Sequence, residues 1–323
     1  MTVTIRIDDE VADSVAEDAQ VLPSVTAVLA TRGRPQMLRA AIRSILAQDY
    51  QGDLEVLVIF DQVEIDPLDD IVVPEGRRLR TLPNVRRPGL AGGRNTGILA
   101  AAGALIAFCD DDDEWLPTKL SAQVRTWEAD PKAIGMAAGI TIESEGGAHT
   151  RVGDETVTFT DFLQSRVQEI HPSSLLWRRG DLLGQIGLVD EQIPASYGED
   201  YDLLLRATRS GNLRCVPESL VVVHWNRASF FDGRWHAIAD GLTYLLRKHP
   251  EFSRSAVGTA RIAAQVAFAH AALGKRRDAR RWAASALRRD RRQLRAYAAL
   301  AVAYRLVPAH VLVNWVNRRG RGL

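Results

Sequence analysis

ALIAFCDDDDEWLPTK, residues Ala104 to Lys119, is the stretch from which a fold and a site both follow. Ala104 to Cys109 is short and wholly apolar, as a buried strand requires. Asp110, Asp111, Asp112 and Asp113 follow without a break, and Pro117 opens a helical pattern that runs to Ala129. Adjacent carboxylates repel one another unless solvent or a cation screens them. A charge run is ordinarily a solvated loop. Here it is joined to a core strand, which favours a divalent cation and a phosphate-bearing ligand.

Working outward, Val25 to Ala30 reads as a first buried strand. Thr31-Arg32-Gly33-Arg34 turns, and Pro35 takes the first position of a helix whose apolar residues run from Met37 to Leu46. Leu54 to Phe60 is a second apolar strand, ending in Asp61. Strand, helix, strand in this order predicts a right-handed parallel crossover. Two strand ends, at Asp61 and Asp110, therefore carry acids, and open α/β sheets bind ligands beyond the carboxyl ends of their strands.

The polar, Pro-rich stretch from Ile65 to Leu82 carries no clear pattern. In NVRRPGLAGGRNTG, residues 84–97, the glycines read as a loop leading into a helix that ends near Ala102. The stretch lacks the Gly-Lys-Ser/Thr ending of a P-loop and the spacing of a dinucleotide fingerprint. Its Arg94 is a forked donor suited to carboxylates or phosphate. Strands are expected at Gly135–Ile142, Val157–Phe159, Ser173–Trp177, Leu213–Val216 and Leu220–Val223. A loop is expected over Glu143–Glu155, a short helix over Asp161–Arg166, and a helix from Gly198 to Arg209 opened by Glu199 and Asp200.

The five motifs VTAVLATRGRP, LEVLVIFDQ, GRNTGILAAAGALIAFCDDDDEWLPTKL, HPSSLLWRR and GEDYDLLLRA occur in order between Val25 and Trp225. Together they resemble a family 2 glycosyltransferase. The resemblance implies an α/β GT-A fold, a mostly parallel central sheet flanked by helices, and inverting transfer from a nucleoside-diphosphate sugar (UDP, GDP or dTDP) to an acceptor hydroxyl. It places Asp110, Asp111 and Asp112 at the family's DxD position, with Asp112 as a ligand of Mn2+ or Mg2+ and Asp110 on the ribose or sharing the metal. It puts Asp61 at the base, Thr31 and Arg32 beside the nucleotide, and Arg94 at the diphosphate or bracing the acids. Asp200 becomes the general base, with Glu199 as the fallback; a helix cap is the competing reading of both. His224 resembles the metal-ligating His of some relatives and equally suits a hydrogen-bonded core group. His171 is placed near the acceptor or phosphates, and Trp115 shapes the pocket.

Two rivals stand beside this reading. A haloacid-dehalogenase-like phosphatase also places Asp-x-Asp after a buried strand, but its pattern wants Thr or Val where Glu114 stands. The other is a nucleotide-sugar-binding scaffold without turnover.

The 323 residues, 46% hydrophobic and 25% charged, suit a globular chain with an appendage. Cys109 and Cys215 sit in apolar runs and read as reduced core residues of a cytosolic protein. The acidic N-terminus has no apolar signal core, and no apolar run reaches spanning length. The net charge of +1 conceals an asymmetry: from Lys275 onward arginine crowds the chain, against only Asp278 and Asp290. Three parts are expected: an extension over 1–22, a catalytic domain over 23–235, and a helical, Arg-rich region over 236–323. Residues 274–306 faintly resemble a tetratricopeptide-like helix pair. Val307 to Val316, with Trp315 and the following Arg318 and Arg319, reads as an interfacial helix, placing the protein in the cytoplasm or on the inner face of the membrane. Bundle packing and a homo-oligomer are equally compatible. The acceptor classes in view are a glycan, a lipid-linked saccharide and a natural product; no nucleic-acid module is recognisable.

Overall fold

The computed structural model describes residues 21–144, 146–225 and 233–317, apart from the side chains of 314–317. Most of the extension expected over 1–22 lies outside these residues, as do Arg318, Arg319 and the side chain of Trp315.

The chain runs β1 (Val25–Thr31), α1 (Pro35–Leu46), β2 (Leu54–Phe60), β3 (Arg77–Pro83), α2 (Leu90–Ala100), β4 (Leu105–Phe108), β5 (Asp113–Trp115) and α3 (Lys119–Ala129). It continues through β6 (Gly135–Ser144), β7 (Gly147–Arg151), β8 (Thr156–Val157), α4 (Phe159–Gln164), β9 (Leu176–Arg178), α5 (Arg179–Leu183), α6 (Glu199–Thr208) and β10 (Leu213–His224). Helices α7 (Trp235–Lys248), α8 (Ala256–Ala272), α9 (Arg276–Arg289), α10 (Leu294–Ala303) and α11 (Ala309–Asn317) follow.

The sheet order is β3-β2-β1-β4-β9-β6-β10-β5, with β7 beside β6 and β8 beside β10. β3, β2, β1 and β4 form a parallel block; β9 runs antiparallel beside β4, and β6 and β10 pair parallel. Alternation sends successive side chains to opposite faces. Ala27 and Leu29 of β1 therefore join a core with Leu38, Ile42 and Ile45 of α1 and Leu120 of α3. Val28 joins the other core, with Ile98 of α2, Leu204 of α6, Leu245 of α7, and Ile262 and Val266 of α8. The opposite side of α8 contributes Ala263, Ala267 and Phe268 to an alanine-rich stack with α9 and α10. One helix thus belongs both to the sheet's core and to the C-terminal stack.

Several local expectations are corrected. The glycine-rich stretch is mainly helix, not loop. Its glycines let α2 press onto β1: a Cβ on Gly97 would lie 2.2 Å from Val28 Cγ1, and one on Gly93 2.8 Å from Ala30 Cβ. Residues 77–83 form the edge strand β3, whose half-exposed pattern hides it from a search for apolar runs. The loop expected over Glu143–Glu155 contains the end of β6 and its hairpin partner β7. β10 is one strand with register shifts, not two strands. Pro172–Ser174 is a 3-10 turn, so β9 begins only at Leu176.

Lys119, at the end of the opening stretch, is fully buried, with Nζ 3.9 Å from the centroid of the Trp115 ring and 2.9 Å from Gln123 Oε1. Burial pushes its pKa down from 10.5 to about 7. Between those values the unfolded chain holds a proton that the folded chain has released, so stability rises with pH. The whole penalty applies below the folded pKa and none of it above the unfolded one. Between pH 7 and 10.5, wild-type stability is expected to climb about 1.4 kcal/mol per pH unit faster than that of Lys119→Met. Urea midpoints of the two proteins across that range check this; parallel curves would contradict it.

Candidate active site

The site is built at the carboxyl ends of β1, β2 and β4. At the end of β1, Thr31 Oγ1 donates to Asp111 Oδ2 at 2.7 Å. Arg34, in the turn before α1, donates through one nitrogen to Asp111 at 3.1 Å and to Asp112 at 2.5 Å. Arg32 is exposed and lies off this network. Sequence reading gave Arg34 no role, although it stands two residues from Arg32; the turn geometry chose between them.

Asp61, just past β2, is buried. It accepts from Asn84 Nδ2 at 2.7 Å and from the Gly89 amide, which caps α2, at 3.1 Å. Arg94, on α2, is 3% exposed and bridges two carboxylates, donating to Asp110 at 2.7 Å and, through its other terminal nitrogen, to Glu199. Its guanidinium lies 5.2 Å from the centroid of the Phe108 ring. One buried cation thus ties the acid run to the start of α6.

Asp113 belongs to β5. It accepts from Ser173 Oγ at 2.5 Å and lies 3.3 Å from His171 Nδ1. Asp110, Asp113 and His171 each offer a donor atom, all within 4.8 Å of one another. Asp112 and His224 instead line an adjoining small cavity of about 140 Å³ with Glu114 and Met37. His224 Nε2 is 3.1 Å from Glu114 and Nδ1 is 3.3 Å from Glu143, so both ring nitrogens are engaged. Trp115 is buried against Lys119.

Burial raises the pKa of Asp111, Asp112 and Asp113, and neighbouring carboxylates add to the rise. Arg34 and Arg94 offset only part of this negative charge. The donor set is oxygen-rich, crowded and short of positive charge, which fits a hard divalent cation.

At the start of α6, Asp200 and Glu199 diverge. Both are buried, which opposes charge on each. At Asp200 this is outweighed by Arg166, whose Nη2 lies 2.9 and 2.6 Å from the two carboxylate oxygens, and the pKa falls below the usual range. At Glu199 burial wins over Arg94, and the pKa is pushed up to about 8. Among the described residues its buried Oε2 has no hydrogen-bond partner. Near neutral pH, Asp200 is therefore a carboxylate and Glu199 an acid. Asp202, one turn further in, accepts from Arg206 at 2.8 Å and lies 2.7 Å from Lys248 and 2.8 Å from His249, clamping α6 to the end of α7. Arg166 follows a short helix with no motif around it, and sequence alone offers no signal for its pairing.

A larger cavity, about 880 Å³, opens at the opposite end of the sheet beside Ser24, Leu105 and Trp127. It contains none of these acids, so volume is a poor guide to the chemistry here.

This arrangement defines a GT-A fold with acids gathered at one rim of its sheet. Residues 26–178 match the family described as Glycosyl transferase family 2. Among similar proteins, an Escherichia coli UDP-Glc:alpha-D-GlcNAc-diphosphoundecaprenol beta-1,3-glucosyltransferase, WfaP, is 31% identical over 33% of this chain and 42% of its own length. The succinoglycan biosynthesis protein ExoO of Rhizobium meliloti is 31% identical over 61% of this chain and 59% of its own. The chain spans about half the length or less of several such relatives, 39% for a second E. coli glucosyltransferase, WfgD. Among solved structures, S. aureus TarS in complex with UDP-GlcNAc has a TM-score of 0.60 at 14% identity, covering 92% of each chain. The mannosyltransferase PcManGT of Pyrobaculum calidifontis, in complex with GDP-Man and Mn2+, has a TM-score of 0.54 at 19% identity, covering 93% of this chain and 81% of its own. At such identities the likeness is one of fold. The family match sets the phosphatase reading aside.

Proposed function

We propose that this protein is an inverting glycosyltransferase that moves a sugar from a nucleoside-diphosphate sugar to an acceptor hydroxyl. The observation that carries the reading is the Arg94 bridge, which sets the base-bearing helix α6 against the acid run. Asp200 takes the acceptor's proton as its oxygen attacks the anomeric carbon; the bond to the diphosphate breaks, and the nucleoside diphosphate leaves. Glu199, mostly protonated near neutrality and held by Arg94, is the fallback. Asp61 and Thr31 position the nucleotide, with Arg32 at the mouth, and Arg94 braces Asp110.

A divalent cation, Mn2+ or Mg2+, would be held by Asp110 with Asp113 and His171, whose donor atoms converge, and by Asp112 once it releases Arg34. When bound it offsets charge on the departing diphosphate. His224 joins only by releasing Glu114 or Glu143. The complexes of the two structural neighbours, with UDP-GlcNAc and with GDP-Man and Mn2+, support a nucleotide-sugar donor.

The test is calorimetry with Mn2+ and a panel of UDP-, GDP- and dTDP-sugars. Wild type is expected to bind one class only when metal is present. Asp112→Ala is expected to weaken that binding at least about tenfold, the loss of one charge-assisted contact. Equal binding by the variant would reject the metal-site assignment. Turnover of the bound donor separates an enzyme from a scaffold.

The end of the helical region, from residue 307, is read as meeting the inner face of the membrane. Leu294, Leu306 and Val311 are exposed apolar residues on a basic background. Among the described residues no helix is long and apolar enough to cross a membrane. Flotation with anionic liposomes should fail when residues 307–323 are removed; equal flotation would reject the contact.

A further inference from the structure

Just ahead of the base, the backbone is bent into conformations that side chains disfavour. Ala195 and Ser196, in the 3-10 turn Pro194–Ser196, have φ of 53° and 57°, and Gly198, which caps α6, has φ of 85°. Glycine enters this left-handed region freely; alanine and serine do so at a cost. Among the described residues six that are not glycine have positive φ, and four of them adjoin the site. Gln62 follows Asp61, Val167 follows Arg166, and Ala195 and Ser196 lead into Glu199 and Asp200. Such strain persists only where its surroundings over-determine it. Ala195 is exposed, so the packing of its own methyl does not hold it there.

The hold comes from α7. A Cβ on Gly241 would lie 2.6 Å from Tyr197 O, so the helix reaches the strained run only because residue 241 is glycine. One turn on, a Cβ on Gly198 would lie 3.0 Å from Leu245 Cδ1. One turn further, Lys248 and His249 hold Asp202 at 2.7 and 2.8 Å. Residues 241, 245, 248 and 249 share one face of the helix. That face follows the chain from Tyr197 to Asp202, with Asp200 between them. On the other side, Ser196 Oγ accepts from the Ala91 amide at 3.4 Å. It would lie 3.2 Å from a Cβ on Gly89, whose own amide donates to Asp61. Arg261 of α8 adds a further hold on α6, donating to the Tyr201 hydroxyl at 2.9 Å. The strained run is thus wedged between the turn that serves Asp61 and a helix outside the family-matched residues 26–178.

We propose that residues 195–198, cast against α7, are a positioning element that aims Asp200 at the acceptor oxygen, with Ala195 and Gly241 as positioning residues. This rests on the transferase reading and gives the helical region a part in transfer. A carboxylate in the first turn of a helix moves with the turn before it, and a displacement of about 1 Å can slow a reaction about 10²-fold. Relaxing the turn, or pushing it from α7, moves the base off its line.

The test compares wild type with Ala195→Gly and Gly241→Ala, which shift stability in opposite directions. Arg305→Gly is the control: Arg305 is exposed, has φ of 63° and follows α10, away from the site. Each protein is measured for melting temperature and for calorimetric binding of UDP-, GDP- and dTDP-sugars with Mn2+. Release of nucleoside diphosphate is then followed with water as the acceptor. Ala195→Gly is expected to melt about 2 °C higher, since glycine relieves the left-handed strain. Gly241→Ala is expected to melt lower, since its new methyl meets backbone. Both are expected to bind donor as wild type does, yet to release nucleoside diphosphate about 10–10²-fold more slowly. Arg305→Gly should melt higher and release at the wild-type rate. A run with a merely structural role would leave release by Ala195→Gly unchanged, and that result overturns the proposal. So does slowed release that comes with weakened donor binding, or that appears equally in Arg305→Gly. If Gly241→Ala does not fold, Ala195→Gly alone decides. A wild type that binds no sugar nucleotide with Mn2+ rejects the transferase reading itself, and the positioning claim with it.

Discussion

Asp200→Asn is expected to keep donor binding and to lose transfer by about 10²–10⁴-fold in kcat, the range for removing a positioned general base. The amide keeps the shape of the carboxylate and one oxygen for Arg166, so the fold should persist. It has no capacity to hold a proton from an attacking hydroxyl. The pH profile adds a second discrimination. Arg166 keeps Asp200 ionised below the ordinary carboxylate range, so a loss of activity as pH falls comes first from the acid run, whose pKa values are raised, and only later from Asp200. If Glu199 were the base, activity would instead rise with pH toward about 8, where that group ionises. Initial rates of wild type and Asp200→Asn from pH 5 to 9, with donor binding measured in parallel, decide between the two. A fully active variant would end the assignment.

Arg94→Leu is expected to destabilise the protein by about 1–3 kcal/mol, the cost of leaving hydrogen-bonded carboxyl groups without their donor. Arg94 is 3% exposed and serves both Asp110 and Glu199, so its loss strands two carboxyl groups. Leucine retains apolar contact with Phe108 but supplies no donor. Arg94→Lys should recover only part of the loss, because an ammonium does not span two carboxylates as a planar fork does. Denaturant unfolding of the three proteins measures this; a loss under about 1 kcal/mol would place the pair among weak surface bridges and remove the bridge from the account.

The parallel block and the acids at its rim were legible because both follow from local rules. Apolar runs such as Leu54–Phe60 announce buried strands, and each acid at a strand end marks the ligand side of the sheet. The α6 start was legible from Gly198-Glu199-Asp200. What escaped needed tertiary information. Among the described residues β3 pairs with β2 alone, so its polar residues follow no apolar run. Gly92, Gly93 and Gly97 looked like loop residues because close helix–strand approach and loop flexibility select the same amino acid. Arg34, Arg166 and Arg261 are single arginines in a sequence rich in them. Their partners lie 34 to 78 residues away, and nothing in local spacing links Arg166 to Asp200 or Arg261 to Tyr201. Asp113 was visible as the fourth acid of the run, but its place with His171 depends on β5 pairing with β10.

The most direct test is an anomalous difference map from crystals soaked with Mn2+ and a nucleoside diphosphate. A manganese peak within coordination distance of the Asp110–Asp113 run, with the nucleotide extending toward Asp61 and Asp200 across the same cleft, is the predicted result. Manganese at another surface, or nucleotide density that leaves Asp61 and Asp200 on separate faces, would contradict it.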